Sequence, residues 1–321
     1  MTCSLPVGSA LDAIGNTPCV QLRRVVPSGC ARVFVKLESL NPTGSYKDRM
    51  AKSLIEEAER KGDLRPGMTV VEATGGSTGS SLAFVCAVKG YNFHVVSSNA
   101  YADDKLRTMA AFGANTVDLV HSPSGGITAD LVPSMIKRAK EISQSDTHFN
   151  TDQFVNSDAF VGYRTLGIEL LDQIPNGIDG FCSAVGTAGM AMGVSKVLKE
   201  RWPKTHVQIL EPVSSPFLTT GRGGVHRVEG IGIGYTPPLL DSALYDEVRA
   251  ISEDEGRAMC RRLAREEGIL AGTSIGLNVT AAVALAKQLG PDKTVVTVAC
   301  DTGLKYMHRD LYSEPQVDAQ S

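Results

Sequence analysis

A lysine where a turn-rich loop meets a helix is the first residue whose placement suggests chemistry. Residues 41–46 (NPTGSY) form the loop, and the amphipathic residues 48–60 predict a helix. Lys47 therefore lies at a helix N-terminus, where the helix dipole favours anions over cations. The same field favours a neutral, nucleophilic amine, as a lysine that forms a Schiff base requires. This segment alone is equally consistent with a solvated lysine.

Two loops rich in small residues strengthen the chemical interpretation. Thr74-Gly75-Gly76-Ser77-Thr78-Gly79-Ser80-Ser81 and Gly186-Thr187-Ala188-Gly189-Met190 each follow a strand-like run and precede a helical one. This order offers backbone N–H groups and hydroxyls to an anion. Either loop alone is ordinary for a turn after a strand. Together with Lys47, in order along an alternating chain, the two loops favour a site for an anionic ligand.

The order of elements predicts an α/β fold. Strand-like and helix-like runs alternate, which is typical of mostly parallel sheets flanked by helices. The predicted strands are residues 33–37, 69–72, 93–97, 116–120, 181–185, 207–210 and 294–299, and the predicted helices include residues 106–112, 134–142, 253–267 and 277–289.

Composition indicates a globular protein and excludes several classes. The chain has 321 residues, enough for two domains, with 42% hydrophobic and 21% charged residues. A net charge of -3 argues against nucleic acid or an anionic membrane surface as the main partner. No apolar run is long enough for a membrane span, and the first residues lack a signal-peptide pattern. We expect a cytoplasmic protein.

The cysteines and histidines predict neither disulfides nor a metal site. The seven cysteines are scattered without a C-x-x-C pair, and the six histidines form no metal-like pair. Reduced, mostly buried thiols are therefore expected, as is usual in the cytoplasm.

Taken together, these motifs resemble a known family. The chain is similar to the cysteine synthase (O-acetylserine sulfhydrylase)-like branch of the fold type II pyridoxal-phosphate (PLP) enzymes, the tryptophan synthase β-like superfamily. The resemblance extends over nearly the whole chain. Its motifs are Asn16-Thr17-Pro18, Lys36-Leu37-Glu38, Gly44-Ser45-Tyr46-Lys47-Asp48-Arg49, residues 74–79, Gln153-Phe154, residues 186–190, Glu211-Pro212, Gly230-Ile231-Gly232, Ala271-Gly272 and Asp301-Thr302-Gly303.

The resemblance implies an architecture. The family has two open, twisted, mostly parallel sheets flanked by helices, with the cofactor in the cleft between two domains. The small mobile domain would be residues 46–148, and the large cofactor-binding domain would be residues 1–45 plus 149–321. Members of the family are homodimers, so a homodimer is expected.

The resemblance also implies a role for each matched residue. Lys47 would form the Schiff base with PLP and later move the substrate α-proton. Thr302 would face the pyridine nitrogen with a hydroxyl, which makes the cofactor a weaker electron sink than a carboxylate would. The remaining cofactor residues would be Ser77 at the ring hydroxyl and Gly186, Thr187, Ala188, Gly189 and Met190 at the phosphate. The residues that bind the substrate carboxylate would be Thr74, Gly75, Thr78 and Gln153.

This chain departs from the family pattern in both loops. Ser77 stands where asparagine is usual, and Gly75 where serine is usual, and these changes are expected to widen and loosen the first loop. In the second loop, Ala188 and Met190 keep the backbone donors but remove a hydroxyl. The first pair of changes favours a bulkier substrate or a different fate for the reaction intermediate.

Three functions remain open at this point. The first is PLP-dependent β-replacement on an activated L-serine-type amino acid through an aminoacrylate intermediate, with sulfide or a thiol as nucleophile. The second is β-elimination, as in an L-cysteine desulfhydrase that releases pyruvate, ammonia and sulfide. The third is a PLP-binding relative without catalysis. The first two place the protein in amino-acid metabolism.

Overall fold

The strands of the chain form two separate sheets. The structure is a computed structural model that describes residues 6–101, 103–114, 116–123 and 130–313, so the first five residues, where no signal peptide is expected, lie outside it. The strands are β1 (Cys19–Leu22), β2 (Arg32–Lys36), β3 (Thr69–Ala73), β4 (Asn92–Ser97), β5 (Thr116–Leu119), β6 (His148–Asn150), β7 (Gly180–Ala184), β8 (His206–Pro212), β9 (Glu247–Ile251) and β10 (Thr294–Val298).

Helices cover both sheets. They are α1 (Lys47–Lys61), α2 (Ser77–Lys89), α3 (Asp103–Ala111), α4 (Leu131–Ile142), α5 (Ala159–Gln173), α6 (Gly189–Arg201), α7 (Phe217–Thr220), α8 (Glu253–Arg262) and α9 (Thr273–Leu289). A π-helical turn, Leu263–Glu267, extends α8. Short 3₁₀ turns lie at Ala10–Ala13, Glu38–Leu40, Ser242–Leu244 and Gly303–Tyr306. No helix in the described ranges has the length and apolar character to cross a membrane.

The sheet topology confirms the predicted α/β class. The larger sheet has the order β1-β2-β10-β7-β8-β9, and the smaller has the order β5-β4-β3-β6. Among the described strands, β1 and β2 pair antiparallel and every other pair is parallel. The central strands β7 and β10 are buried along their whole length. Their short apolar runs suit strands covered by helices on both faces.

The seven predicted strands are all present, and the differences lie at short elements. The strands β1, β6 and β9 were not predicted, because they have only three to five residues and β9 alternates charged with apolar side chains. The first glycine-rich loop is shorter than predicted, since α2 already begins at Ser77. Ser77 and Thr78 therefore lie on the first helical turn rather than in a loop.

The two sheets can be compared with the division into domains, which remains a proposal. The smaller sheet spans residues 69–150, inside or next to the proposed small domain of residues 46–148. Its last strand, β6, pairs with β3 through His148, Phe149 and Asn150, so the sheet continues two residues beyond that limit. The larger sheet is built from the remaining residues on either side.

Candidate active site

The candidate residues follow the carboxyl ends of parallel strands. The segment from Thr74 follows β3, the segment from Gly186 follows β7, and Thr302 lies a few residues beyond β10. Because β7 and β10 are hydrogen-bonded neighbours, the segments after them emerge side by side. The edge beyond the carboxyl ends of strands is where open α/β sheets bind ligands.

Backbone contacts hold the segment before Lys47 against the segment that carries Thr302. The Thr302 N–H donates to the Gly44 carbonyl at 3.0 Å, and the Tyr46 N–H donates to the Cys300 carbonyl at 2.9 Å. Gly44 has a φ of 72°, and a β-carbon there would lie 2.8 Å from Thr302 Cγ2. A glycine is therefore required for this close approach. The contacts join the residues just before Lys47, the first residue of α1, to the segment of Thr302.

Lys47 is buried without a counterion. Its exposed fraction is 9%, and within the described residues Nζ has neither a hydrogen bond nor an ion pair, although it lies 4.9 Å from the centre of the Tyr46 ring. Burial lowers the pKa of Lys47 from 10.5 to about 8. A larger share of this amine is neutral near pH 7–8 than of an ordinary lysine. A neutral amine is the form that attacks a carbonyl.

Burial of Lys47 predicts a pH-dependent gain in stability when the amine is removed. In cofactor-free protein, Lys47→Met should raise the free energy of unfolding by about 2–3 kcal/mol near pH 7, because a depressed lysine pKa opposes folding. The gain should be full below about pH 8, the folded pKa, and should vanish as the pH rises towards 10.5, the unfolded pKa. Urea unfolding from pH 7 to 10 measures this. A gain that does not change with pH would contradict it.

The loop after β7 presents backbone donors that lack acceptors. Residues 186–190 are buried, yet among the described residues none of their N–H groups has an acceptor. Ala188 adopts a left-handed conformation with a φ of 66°, immediately before α6 begins. A β-carbon on Gly186 would lie 2.1 Å from the Gly230 carbonyl oxygen. Because buried N–H groups are nearly always paired, these donors fit the phosphate of the predicted cofactor.

Thr302 presents a neutral hydroxyl. Its Oγ1 accepts a hydrogen bond from the Leu304 N–H at 3.3 Å, which caps the turn Gly303–Tyr306. The hydroxyl proton of Thr302 remains able to donate to another acceptor. This geometry fits the predicted contact with a pyridine nitrogen.

The predicted carboxylate-binding residues form one connected group. The Thr78 hydroxyl donates to Gln153 Oε1 at 2.7 Å, which joins α2 to the segment after β6. Since Thr78 uses the amide oxygen, the Gln153 amide nitrogen can donate to a ligand. Thr74 Oγ1 accepts from the Gly76 N–H at 3.2 Å. Thr74, Thr78 and Gln153 are each buried, with exposed fractions of 4–6%.

Glu72 holds the backbone of this group through hydrogen bonds. It lies at the end of β3 and is buried. Its Oε2 accepts from the Thr151 hydroxyl at 2.7 Å and from the Gln153 N–H at 3.2 Å. Burial raises the pKa of this carboxyl to about 7, even though these hydrogen bonds oppose the rise. Glu72 thereby fixes the backbone at Gln153.

Tyr101 fills the space beside Gly75. A β-carbon on Gly75 would lie 2.1–2.3 Å from atoms of the Tyr101 ring. The expectation that Gly75 widens the loop is therefore wrong, because an aromatic ring occupies the volume that a serine side chain would need. Sequence reasoning missed Tyr101, since this contact joins residues that are 26 positions apart with nothing in their spacing to indicate it.

A steric conflict is expected when Gly75 is replaced. Gly75→Ser should lower stability by about 1–3 kcal/mol, because the ring of Tyr101 must move. A second change, Tyr101→Ala, should recover most of the loss, and thermal unfolding of both variants tests this coupling. Gly76→Ser is the matched control, since a β-carbon on Gly76 has nothing within 4 Å. Equal losses for Gly75→Ser and Gly76→Ser would argue against the conflict.

Ser77 contacts a lysine that sequence reasoning did not find. Lys305 Nζ donates to Ser77 Oγ at 3.2 Å. Ser77 begins α2, and Lys305 lies in the turn after Thr302. The two residues are far apart in sequence, so only the fold brings the ammonium group to this position.

Comparisons with known proteins identify the family. A model of the family "Pyridoxal-phosphate dependent enzyme" matches residues 10–301, and the chain belongs to this family. It is 42% identical to a cysteine synthase of Staphylococcus aureus over 310 residues, which cover 96% of this chain and 98% of that protein.

Two solved structures show the same architecture. The crystal structure of an O-ureido-L-serine synthase aligns with a TM-score of 0.90 at 34% identity, covering 99% of this chain and 98% of the other. A hydrogen sulfide-producing enzyme from Fusobacterium nucleatum aligns with a TM-score of 0.86 at 32% identity, covering 94% and 100%. The fold type II class and the dependence on PLP, both predicted from the motifs, are confirmed.

Proposed function

We propose that this enzyme catalyses PLP-dependent β-replacement on an activated L-serine-type amino acid. The observation that carries the proposal is the Lys47 amine, which is buried and has no counterion within the described residues. It follows a segment whose backbone is hydrogen-bonded to the segment of Thr302. The S. aureus cysteine synthase and the O-ureido-L-serine synthase, each similar over nearly the whole chain, support the same class of reaction.

The described residues fit the cofactor. Residues 186–190 would hold its phosphate through their unpaired backbone donors, Thr302 would face the pyridine nitrogen, and Ser77 would lie at the ring hydroxyl. When bound, PLP supplies an electron sink that stabilises negative charge at the substrate α-carbon. Lys47 would be the residue that attaches to it.

The chain itself would position the substrate and move its proton. The substrate α-carboxylate would be oriented by the buried polar groups around the start of α2, namely Thr74, the Gly75 backbone, Thr78 and Gln153. Lys47 Nζ, when neutral, would accept the α-proton. Tyr101 would limit access of water from the side of Gly75. Restricted access to water favours replacement by an added nucleophile over hydrolysis.

β-Elimination remains the second candidate function. The similarity to the hydrogen sulfide-producing enzyme of F. nucleatum favours it. The steps up to loss of the leaving group would be common to both reactions. What separates them is whether a nucleophile or water reacts next. The contact between Tyr101 and Gly75 favours replacement, since it removes the open space on which the elimination hypothesis relied.

Product analysis decides between these functions. Purified protein with PLP is incubated with O-acetyl-L-serine with and without sulfide, and with L-cysteine alone. We expect L-cysteine to form from O-acetyl-L-serine with sulfide. Its rate of formation should be much higher than the rate of pyruvate formation in any of the three incubations. Pyruvate as the main product would establish a lyase. Cofactor absorbance without turnover of any activated serine or cysteine would indicate a relative without catalysis.

We also propose that the enzyme is a cytoplasmic homodimer that acts on a small amino acid, without nucleic-acid or membrane partners. The net charge of -3 supports the absence of a nucleic-acid partner, and the free thiols of the six described cysteines support a cytoplasmic location. The dimer is proposed from the family resemblance. Light scattering during gel filtration should give twice the mass of the 34.1 kDa chain. A mass equal to one chain would contradict the dimer.

A further inference from the structure

One short turn contacts two hydroxyl groups of the candidate active site. The 3₁₀ turn Gly303–Tyr306 directly follows Thr302. Its backbone is hydrogen-bonded to the Thr302 hydroxyl, and its one lysine side chain is hydrogen-bonded to the Ser77 hydroxyl. The two hydroxyls belong to different segments, one after β10 and the other after β3. A single turn can therefore set the hydrogen-bonding direction of both groups.

The backbone of the turn makes Thr302 an acceptor on one side. The Leu304 N–H donates to Thr302 Oγ1 at 3.3 Å, and a backbone N–H can only donate. Thr302 Oγ1 is therefore the acceptor in this contact. Within the described residues the hydroxyl proton of Thr302 has no acceptor of its own. What Thr302 has left to offer a ligand is this proton.

Lys305 makes the corresponding contact with Ser77. Its Nζ donates to Ser77 Oγ at 3.2 Å, and neither group has another hydrogen-bond partner in the part of the chain that the structure describes. An ammonium group carries three protons and no lone pair, so it can only donate. Ser77 Oγ is therefore the acceptor, and the hydroxyl proton of Ser77 remains available for a further acceptor.

The stem of Lys305 lies against the loop that precedes α1. A β-carbon on Gly44 would lie 3.8 Å from Lys305 Cε, as well as 2.8 Å from Thr302 Cγ2. Burial lowers the pKa of Lys305, and the nearby carboxylates of Asp301 and Asp48 oppose this. The two carboxylates favour the ammonium form and balance its charge. Lys305 therefore contributes a directed hydrogen-bond donor rather than a net positive charge.

We propose that Lys305 is a positioning residue that fixes the Ser77 hydroxyl as a hydrogen-bond donor, just as the Leu304 N–H fixes the Thr302 hydroxyl. This rests on the proposed function, in which Ser77 lies at the ring hydroxyl of PLP and Thr302 faces the pyridine nitrogen. The site then offers a donor to each polar position of the ring. A donor at the ring oxygen favours the form in which that oxygen has lost its proton, because a donated hydrogen bond stabilises a negative charge.

A matched pair of ligands tests the proposal by equilibrium binding, without turnover. Cofactor-free protein is titrated with PLP and with 3-deoxypyridoxal 5′-phosphate, which lacks the ring hydroxyl but keeps the aldehyde, the ring nitrogen and the phosphate. We expect the wild type to bind PLP more tightly than the deoxy analogue. In Lys305→Met this preference should fall about tenfold. Lys305→Arg, whose side chain also only donates, should retain it.

Lys105→Met is the matched control. The charge of Lys105, like that of Lys305, is affected by burial and by Asp301. Lys105 pairs with Glu229, however, and Arg309 keeps that carboxylate paired at 2.8 Å when Lys105 is removed. The preference for PLP over the deoxy analogue should therefore be unchanged in this variant.

Ser77→Ala tests the same contact from the other side, and it keeps Lys305 in place should Lys305→Met fail to fold. It should lower the preference for PLP as much as Lys305→Met does. Because Lys305 acts through the Ser77 hydroxyl, the two changes combined should lower the preference no further than either alone.

Absorbance spectra give a second readout, which a merely structural role would not change. The fraction of bound cofactor that absorbs in the visible range should fall in Lys305→Met and in Ser77→Ala, because the ring oxygen keeps its proton more readily without the donor. The fraction should be restored in Lys305→Arg and unchanged in Lys105→Met.

Three results would overturn the proposal. The first is an equal loss of affinity for both ligands in Lys305→Met. The second is an equal loss of preference in Lys105→Met and Lys305→Met, which would indicate a general effect of charge. The third is an undiminished effect of Lys305→Met when Ser77 is already alanine. A wild type that shows the expected preference but forms no product would refute the proposed function instead.

Discussion

Replacing Lys47 with alanine should abolish the visible absorbance of the bound cofactor and lower turnover about 10³-fold or more. The amine is the group placed both to attach PLP and to carry the α-proton, so one substitution removes two functions. Lys61→Ala is the control, since Lys61 pairs with Asp158 and is far more exposed than Lys47. Absorbance spectra and steady-state rates of the three proteins measure the effect.

The result also tests whether Lys47 is the correct lysine. Lys105 and Lys305 lie close to the same site, and burial lowers the pKa of Lys305 as it does that of Lys47. Borohydride reduction followed by peptide mapping should place the cofactor on the peptide that contains Lys47. A variant Lys47→Ala that keeps its absorbance band, or a reduced adduct on another peptide, would show that the assignment is wrong.

The sequence was informative wherever local chemistry determines structure. Alternating apolar runs gave the seven main strands, because a buried parallel strand has a distinctive composition. The position of Lys47 at a helix start followed from the turn residues before it. The two glycine-rich segments were found because a close approach, as at Gly186, restricts the residue type.

Contacts between segments that are distant in sequence could not be predicted from local sequence patterns. Tyr101 against Gly75, and Lys305 at Ser77, depend on how whole elements pack, and no local pattern records that. The sequence showed that Gly75 and Ser77 depart from the family pattern, but it did not show how these departures change the structure of the loop. A glycine in sequence suggested empty space, whereas the fold places an aromatic ring there.

The motifs near the N-terminus gain a physical explanation from one buried ionic network. Arg49 donates to both oxygens of Glu38, at 2.7 and 2.8 Å, and to both oxygens of Glu169, at 2.7 and 2.8 Å. Glu38 also accepts from the Thr17 hydroxyl at 2.6 Å and from the Asn41 amide at 2.8 Å. The segments around Thr17, Glu38 and Lys47 are therefore one structural unit rather than three separate signals.

The charges in this network stabilise one another. Burial alone would lower the pKa of Arg49, because it disfavours the charged form. The hydrogen bonds with Glu38 and Glu169 outweigh burial and raise the pKa of Arg49 above its usual range. Burial likewise opposes ionisation of Glu169, and Arg49 outweighs it, lowering the pKa of that carboxyl to about 2. The Glu169 contribution to stability is therefore present above about pH 4.5, its unfolded pKa, and is lost as the pH falls towards 2.

Removing the arginine from this network should destabilise the protein severely. Arg49→Met is expected to lower the free energy of unfolding by about 3–5 kcal/mol at pH 7, because the fully buried Glu38 carboxylate loses its cation. Arg60→Met, in the same helix, is the control and should cost far less, since Arg60 pairs with Glu57 at the surface. Urea unfolding of the wild type and both variants gives the two differences.

The pH dependence separates loss of charge pairing from loss of packing. If pairing dominates, the difference between Arg49→Met and the wild type should narrow as the pH falls from about 4.5 towards 2, where Glu169 becomes protonated in the folded protein. A packing defect would persist over that range. Because Arg49 lies two residues after Lys47 in α1, loss of pairing should also displace the reactive amine. The variant should then bind PLP more weakly even at temperatures where it remains folded, whereas Arg60→Met should bind it normally.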